Sequence, residues 1–427
     1  MKRSVSLQSS SLNWLLSTQG RGIQPGLQRM ERLLAALGNP ERSLRCLHVA
    51  GTNGKGSVCA FAESVLRSAG YHTGFYSSPH LVEFSERIRI DGKPVEEEGI
   101  AAGVGRLRRA VRDWSPQELP TFFELVTALA FDLFAAAGCE IILLENGLGG
   151  RLDATNTVSK LACAITPIGL DHTEWLGETL SEIAREKAGI LRAQVPVVLA
   201  PQEHEAAEVL REVAAHTGAP CVWVTDPLPD HLILGLAGSH QRWNAAVALA
   251  LLRAGKFAFP EDVIRRGLAD VFWPGRFQRL RNGKLILDGA HNLDAVRCLV
   301  ATWREEYGDQ KCRLIFGALT DKHPLEMLLL LEQIAEEIFL VPVVSPRAVD
   351  PQRLLETLPS SKRSLYHTFL SLPEAMAAVF SSSPTTEATI IPKLRVDSPP
   401  VLVTGSLFLV GEVLAFESGG QSKPRSQ

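Results

Sequence analysis

Leu44-Arg45-Cys46-Leu47-His48-Val49-Ala50-Gly51-Thr52-Asn53-Gly54-Lys55-Gly56-Ser57 decides how the chain is read. The apolar run from Leu44 to Ala50 predicts a strand, and the pattern from about Ser57 to Ser68 predicts a helix. Between them lies a Gly-rich turn. Glycines let backbone N–H groups curl around phosphate oxygens, and the helix N-terminus adds partial positive charge. A lysine there reaches the outer phosphates, and a hydroxyl faces a bound Mg²⁺. Gly51, Thr52, Asn53, Gly54, Lys55, Gly56 and Ser57 are therefore candidate nucleotide-binding residues. The strict pattern G-x-x-x-x-G-K-[ST] is not met: Val49 stands six before Lys55, and Gly56 separates Lys55 from Ser57. This is a variant phosphate loop. The competing reading is a plain Gly-rich turn exposing an ordinary lysine.

On either side, short apolar runs alternate with amphipathic stretches, the βαβ pattern of an α/β protein. Strands are expected at Ile141–Leu144, Ala162–Thr166 and Val195–Leu199, and helices at Leu180–Arg192 and His240–Ala254. Trp273-Pro274-Gly275 interrupts the series. The pattern then restarts, with strands expected at Leu285–Leu287, Leu314–Phe316, Ile338–Val341 and Val401–Val403. The expected domains are 1–272 and 273–416, with a disordered tail over 417–427. Residues 381–400 are expected to form a flexible loop.

The 427 residues suit two or three domains at roughly 150 residues each. With 44 Lys+Arg against 47 Asp+Glu, the charge is near balance. That argues against a protein whose main task is coating nucleic acid, which needs clustered cations. No apolar run approaches the ~18 residues of a membrane span, and the N-terminal apolar stretch is too short for a signal peptide. Seven scattered cysteines form no C-x-x-C pair. They read as reduced thiols in a cytoplasmic protein.

Three further groups could carry chemistry. Glu145 stands at the expected C-terminal end of a strand, where α/β sheets place ligands. A carboxylate there could hold Mg²⁺ beside a nucleotide, and a strand-capping acid is an equal alternative. Asp171-His172-Thr173 follows the strand at Ala162, and Glu186-Lys187-Ala188-Gly189-Ile190 follows in turn. A lone histidine is usually a surface or satisfied core residue, and Lys187 by spacing alone reads as solvated. Beyond the linker lie Arg276 and Asp288-Gly289-Ala290-His291-Asn292. An arginine at a hinge could meet phosphates, and Asp288 could accept ribose hydroxyls. Taken singly, each reads more readily as structural.

Together these strings resemble the folate branch of the Mur-type ligases, dihydrofolate synthase and folylpolyglutamate synthase. The matching stretches are GIQPGLQRMERLLAALGNP from Gly22, HVAGTNGKGS from His48, YSSPHLVEFSERI from Tyr76 and TFFE from Thr121. Further ones are GLGGRLDATN from Gly147, LDHTEWLG from Leu170, REKAGI from Arg185, PGRFQ from Pro274, DGAHN from Asp288 and TGSLFLVGEV from Thr404. The resemblance implies a P-loop ATPase-like Mur ligase central domain and a smaller Rossmann-like C-terminal domain. It implies a monomeric enzyme that joins a pteroate or folate carboxylate to the amine of L-glutamate with ATP and Mg²⁺, K⁺ being a further candidate cation. Lys55 and Ser57 would cradle the ATP phosphates, and Asn244, Arg276 and Asp288 would complete the ATP site. Ser78, Glu145 and His172 would hold Mg²⁺. Lys187 would be carbamylated as a further ligand, which would explain a lysine that composition cannot. His291 and Ser406 would contact glutamate. Phe122, Phe123, Leu152, Asp153 and Ala154 would line the pterin site.

One departure is Asn146, where the family more often has valine. Asn is a poor strand residue. It faces away from the Glu145 side if the strand persists, so metal binding is expected to survive. The GLGGRLDATN string resembles the bifunctional form, active on both dihydropteroate and tetrahydrofolate-type acceptors. Polyglutamylation alone, a UDP-sugar amino-acid ligase, a P-loop kinase or NTPase, and a non-catalytic nucleotide-binding module are the alternatives.

Overall fold

The computed structural model describes residues 11–380 and 399–419. The described chain divides into two compact units. One comprises residues up to Gly235 together with Gln241–Phe272, the other Leu236–His240 together with residues from Trp273 onward. Most of the loop expected over 381–400 lies outside the described residues, as does the chain from residue 420.

The first unit carries eight strands: β1 (Cys46–Ala50), β2 (Thr73–Tyr76), β3 (Ile88–Ile90), β4 (Lys93–Pro94), β5 (Ile141–Glu145), β6 (Lys160–Ile165), β7 (Val197–Leu199) and β8 (Cys221–Trp223). Their order is β4-β3-β2-β5-β1-β6-β7-β8. From β2 to β8 the pairing is parallel, while β3 and β4 add an antiparallel edge. All residues of β1 and β5 are buried, as a central parallel strand covered on both faces requires. The chain adds β5 on one side of β1 and β6 on the other. The C-terminal end of β1 is therefore a topological switch point, where such sheets bind ligands.

Two helices matter most here. α1 (Lys55–Ser68) leaves the Gly-rich turn. α2 (Phe122–Ala137) starts with a capping box, in which Thr121 Oγ1 accepts from the Glu124 N–H at 3.3 Å and the Glu124 carboxylate accepts from the Thr121 N–H at 2.7 Å. That box accounts for the TFFE string. α2 packs Leu125, Val126, Phe131 and Phe134 against Ile142 and Leu144 of β5. Each such side chain contributes about 1.5–3 kcal/mol on burial. Beneath the other half of the sheet, Ile165, Val197 and Leu199 meet Ile183, Ala206 and Leu210. α3 (Leu180–Ala188) ends four residues short of the expected Arg192. Gly189 follows it and abuts Arg151 so closely that a Cβ would lie 2.3 Å from the Arg151 Cβ. α4 (Ser239–Ala254) carries Asn244.

The second unit holds β9 (Gln278–Leu280), β10 (Leu285–Leu287), β11 (Cys312–Phe316), β12 (Ala335–Leu340), β13 (Tyr366–Thr368) and β14 (Val401–Thr404). Their order is β13-β12-β11-β14-β10-β9, parallel except for β9. α5 (Leu293–Tyr307) packs Val296 and Trp303 against Ile286, Leu314 and Leu402. α6 (Leu407–Glu417) overturns part of the expected tail. Glu417 is its last residue, and its carboxylate pairs with Arg281 at 2.7 Å. All seven cysteines are free thiols. Among the described residues no helix is long and apolar enough to cross a membrane.

Candidate active site

The loop after β1 is tied to the end of β6. The Thr52 N–H donates to the Pro167 carbonyl at 3.0 Å, and the Gly169 N–H to Thr52 Oγ1 at 3.1 Å. Gly54 is the N-cap of α1, at φ 88° and with no side-chain cap. A Cβ there would sit 2.5 Å from Asn244 Oδ1, so only glycine fits. The first-turn N–H groups of α1 have no carbonyl four residues back to bond. Lys55 folds over the loop, donating to the carbonyls of Gly51 at 3.1 Å and Thr52 at 3.0 Å. Ser57 is buried one residue pair on.

Lys187 reaches the same loop. It is buried, against the expectation from spacing, and its Nζ donates to the Gly51 carbonyl at 2.8 Å. The reason is periodicity. Ile183, Ala184 and Lys187 share the buried side of α3, so a lysine stands where the helix presents apolar residues. Burial lowers its pKa to about 7, with the Lys55 charge adding to the shift and Asp171 and Asp153 opposing it. The GLGG turn holds the end of α3 in place. Arg151 N–H donates to the Glu186 carbonyl at 3.0 Å, and Asn156 Nδ2 donates to the carbonyls of Arg151 and Gly189, each at 3.0 Å. A Cβ on Gly150 would come within 2.7 Å of the Glu186 and Lys187 carbonyl oxygens. The two strings GLGGRLDATN and REKAGI are thus two halves of one clasp.

Glu145 is buried at the end of β5, level with Val49 of β1. β2 pairs alongside, Tyr76 with Leu144, so Ser78 follows the neighbouring strand end. His172 sits at φ 53°, partly exposed, its Nε2 4.0 Å from Asp171 Oδ1. Among the described residues no three His, Cys, Asp or Glu side chains gather as a metal cluster. A hydroxyl and a buried carboxylate beside a phosphate loop suit Mg²⁺ nonetheless, because that ion takes one or two carboxylates and completes its shell with phosphate and water.

Next to Glu145 lies a ring-lined region. Phe123 stands 6.1 Å from Tyr76, and Phe122 6.4 Å from Phe84, centroid to centroid. The Arg87 guanidinium lies 5.4 Å over Phe122. Asp153 is buried, and its carboxylate organises the loop. Oδ2 accepts from the N–H groups of Gly147 at 3.1 Å and Leu148 at 2.8 Å, Oδ1 from the N–H of Thr155 at 3.0 Å and its hydroxyl at 2.5 Å. Burial raises its pKa against those four bonds. Thr155 Oγ1 in turn accepts from His48 Nε2 at 2.8 Å. Ala154 is buried and Leu152 half-buried in the same loop.

In the second unit, Asp288 follows β10 and accepts from the N–H groups of Phe277 and Ala290, each at 2.9 Å. Exclusion of water raises its pKa, and the Arg276 charge opposes that. His291 Nδ1 lies 2.7 Å from the Gly289 carbonyl. Nδ1 therefore carries the proton, and the neutral ring's lone pair is on Nε2. Ser406 is buried and caps α6, its hydroxyl accepting from the Phe408 N–H at 3.1 Å.

Residues 275–391 match the glutamate ligase domain of the Mur ligases. Over 431 residues the chain is 34% identical to the dihydrofolate synthase/folylpolyglutamate synthase of Bacillus subtilis, covering 94% of this chain and 97% of that one. The chain belongs to this family of Mur ligases. It is an ATP-dependent glutamate ligase of the dihydrofolate/folylpolyglutamate synthase kind. The Escherichia coli enzyme solved with DHPP and ADP superposes with a TM-score of 0.82 at 33% identity, over 96% of this chain and 98% of that one. A bifunctional folylpolyglutamate synthase/dihydrofolate synthase solved with Mn, AMPPNP and L-glutamate gives 0.83 at 31% identity, over 96% and 98%.

Within this ligase, Lys55, Lys187, Asn244 and the loop from Gly51 to Ser57 come together, as do Phe123, Asp153 and the turn at Gly147. Sequence reasoning missed the supports of the synthase loops. Gln202 holds the end of β6 by donating to the Thr166 carbonyl at 3.1 Å and accepting from the Ile168 N–H at 2.9 Å. Arg87 Nε donates to His80 Nδ1 at 2.8 Å beneath Phe122. His48, read only as a strand residue, anchors Thr155. A polar residue inside an otherwise apolar strand was the available signal.

Proposed function

We propose that this enzyme ligates L-glutamate both to 7,8-dihydropteroate and to tetrahydrofolate-type mono- and polyglutamates, through an acyl-phosphate intermediate. The observation that carries the reading is the joining of two features in one unit. A loop with two lysines on the Gly51 carbonyl adjoins a ring-lined region whose GLGGRLDATN turn is folded around Asp153. The structures of relatives with ADP, AMPPNP, Mn, DHPP and L-glutamate support ATP, a divalent cation, DHPP and L-glutamate as ligands here.

A carboxylate resists attack by an amine because its leaving group would be oxide. Phosphorylation makes phosphate the leaving group. The α1 N-terminus, Lys55 and Ser57 hold the ATP phosphates, and Lys55 offsets charge as the γ-phosphoryl moves to the acceptor carboxylate. Asn244, against Gly54, completes the nucleotide site within the first unit. Glu145, Ser78 and His172 would hold Mg²⁺, which when bound neutralises phosphate charge. Lys187, with a pKa near 7, presents a neutral amine to CO₂ at ordinary pH, and its carbamate would add a carboxylate to that set. Phe122, Phe123, Leu152, Asp153 and Ala154 shape the pterin site. His291 and Ser406 receive glutamate. His291 is chemically able to take the ammonium proton before the amine attacks the acyl carbon, and a glutamate-positioning role fits equally well.

The test is ATP- and Mg²⁺-dependent phosphate release by purified protein with L-glutamate, comparing 7,8-dihydropteroate with tetrahydrofolate. Release with both is expected. Release with tetrahydrofolate alone restricts the enzyme to polyglutamylation. Absence of glutamate-dependent release with either overturns the reading.

A further inference from the structure

Among the described residues, Asn146 is a buried side chain with two polar atoms that both lack a partner, whereas Ser64, His48 and others leave one atom unpaired. Only 1% of the residue is exposed, and neither Oδ1 nor Nδ2 has a hydrogen-bond partner. Its backbone N–H donates to the Val49 carbonyl at 2.9 Å, so the ladder of β5 continues one residue past Glu145. Alternation then places the Asn146 side chain on the face opposite Glu145 and level with Leu144 and Ile142. That face packs on α2, with Phe122 and Phe123 against the same cluster. Gly147, the next residue, lies so near Phe123 that a Cβ would be 2.4 Å from its ring, and 3.1 Å from Asp153 Oδ2. The orphaned carboxamide therefore stands at the ring-lined region, away from the metal-side carboxylate.

The acceptors of the GLGGRLDATN loop are already committed, while His48 Nδ1, on the same sheet face, is a further buried atom without a partner. The Asp153 carboxylate accepts four hydrogen bonds from its own loop, which uses the acceptor capacity of both oxygens. Its neighbour Thr155 is taken by Asp153 and His48. An unpartnered buried amide is costly, and native proteins keep one only where something else completes it. A carboxamide offers a donor beside an acceptor and pairs best with a flat ligand edge offering the converse. The 2-amino-4-oxo edge of a pterin is such an edge.

We propose that Asn146 is a specificity-determining residue, its carboxamide pairing with the polar edge of the acceptor's bicyclic ring. This rests on the folate reading above. The test uses the full chain and Asn146→Val, which keeps the branch volume and removes both polar atoms. Equilibrium binding is measured for ADP, for 7,8-dihydropteroate, for a dihydropterin lacking the p-aminobenzoate arm, and for p-aminobenzoate itself. Dihydropteroate and the dihydropterin should each bind about tenfold more weakly to N146V, the loss of one to two hydrogen bonds. ADP and p-aminobenzoate should bind as before. The ligand-free variant should melt higher than wild type, because the orphan is gone. Unchanged dihydropteroate affinity in N146V overturns the inference alone. So does a lower melting temperature with parallel loss of ADP binding, which would make Asn146 structural. Wild type that binds no pterin or folate at all overturns the folate reading and this inference with it.

Discussion

Two turns in this ligase leave the C-terminal ends of parallel strands and feed long helices: Gly51–Gly54 between β1 and α1, and Asp288–Asn292 between β10 and α5. They differ at the cap. Gly54 offers α1 no side chain, whereas Asn292 Oδ1 accepts from the Ala295 N–H at 2.9 Å. They differ also in charge. The first turn has Lys55 and Lys187 on its carbonyls, and the second holds the carboxylate of Asp288. An uncapped helix start with the Lys55 ammonium under it suits an anion. A capped one with an acid before it is complete without one. The same strand-turn-helix architecture thus yields an open, anion-suited helix start or a self-capped one, depending on one capping residue and the sign of its neighbours.

The sharpest way to break that contrast is Lys55→Ala. Lys55 bonds only loop carbonyls in the ligand-free protein, so its loss should leave thermal stability nearly unchanged. Glutamate-dependent phosphate release should fall by about 10²–10³-fold, as for other removed charge stabilisers. Near-normal kcat/KM for ATP in this variant would mean that the first turn is not the phosphate site.

Lys187 tests the charge half of the comparison. Its folded-state pKa of about 7 lies below the ~10.4 of an unfolded lysine. Between those values the unfolded chain binds more protons, so the ligand-free enzyme should gain stability as pH rises from about 7 to about 10. Lys187→Met should flatten that rise in denaturant titrations run across the window. An equally steep rise in the variant would show that Lys187 is not the buried titrating group. In activity assays on the wild type, CO₂-depleted buffer should lower the rate and bicarbonate restore it.

The two turns also show what sequence could and could not carry. Strand β1, the Gly-rich turn and α1 were readable because apolar run, glycines and helix pattern follow one another without a break. β10 and DGAHN were readable as a strand end in the same way. β2, β8, β9 and β13 were not, since none is an unbroken aliphatic run like Leu285–Leu287, and β8, β9 and β13 lie partly exposed at sheet edges. At the site, Lys187 looked solvated because Arg185 and Glu186 beside it are charged. The i, i+4 step from Ile183 was the stronger clue, because burial follows the helix face and not the neighbours in sequence. The orphaned state of Asn146 could not be read at all, for it depends on the Asp153 carboxylate being filled by its own loop and on Thr155 being taken by Asp153 and by His48 of β1.

Gly54→Ala probes the cap of the first turn. The added Cβ would meet Asn244 Oδ1 at 2.5 Å and hold alanine at φ 88°. The strain should cost about 1–3 kcal/mol of stability. ADP affinity should fall with it, since the N–H groups of α1 must tilt. Unchanged ADP affinity would separate loop geometry from phosphate binding.

The smallest effect belongs to the second turn, and it is the control for all the others. Asn292→Ala removes the cap of α5 and should cost about 1 kcal/mol, within the ~0.5–2 kcal/mol usual for such caps. Asn292→Ser should recover most of it, because serine can accept the same N–H. Calorimetry of the three proteins checks this as a lowered and then largely restored transition. KM for ATP should not move in either variant, because the donor Asn292 occupies was never offered to phosphate. If alanine at this position instead raised the affinity for phosphate or ATP, the turn after β10 would be an anion site held shut by its own side chain. The two turns would then differ only in whether that site is left open.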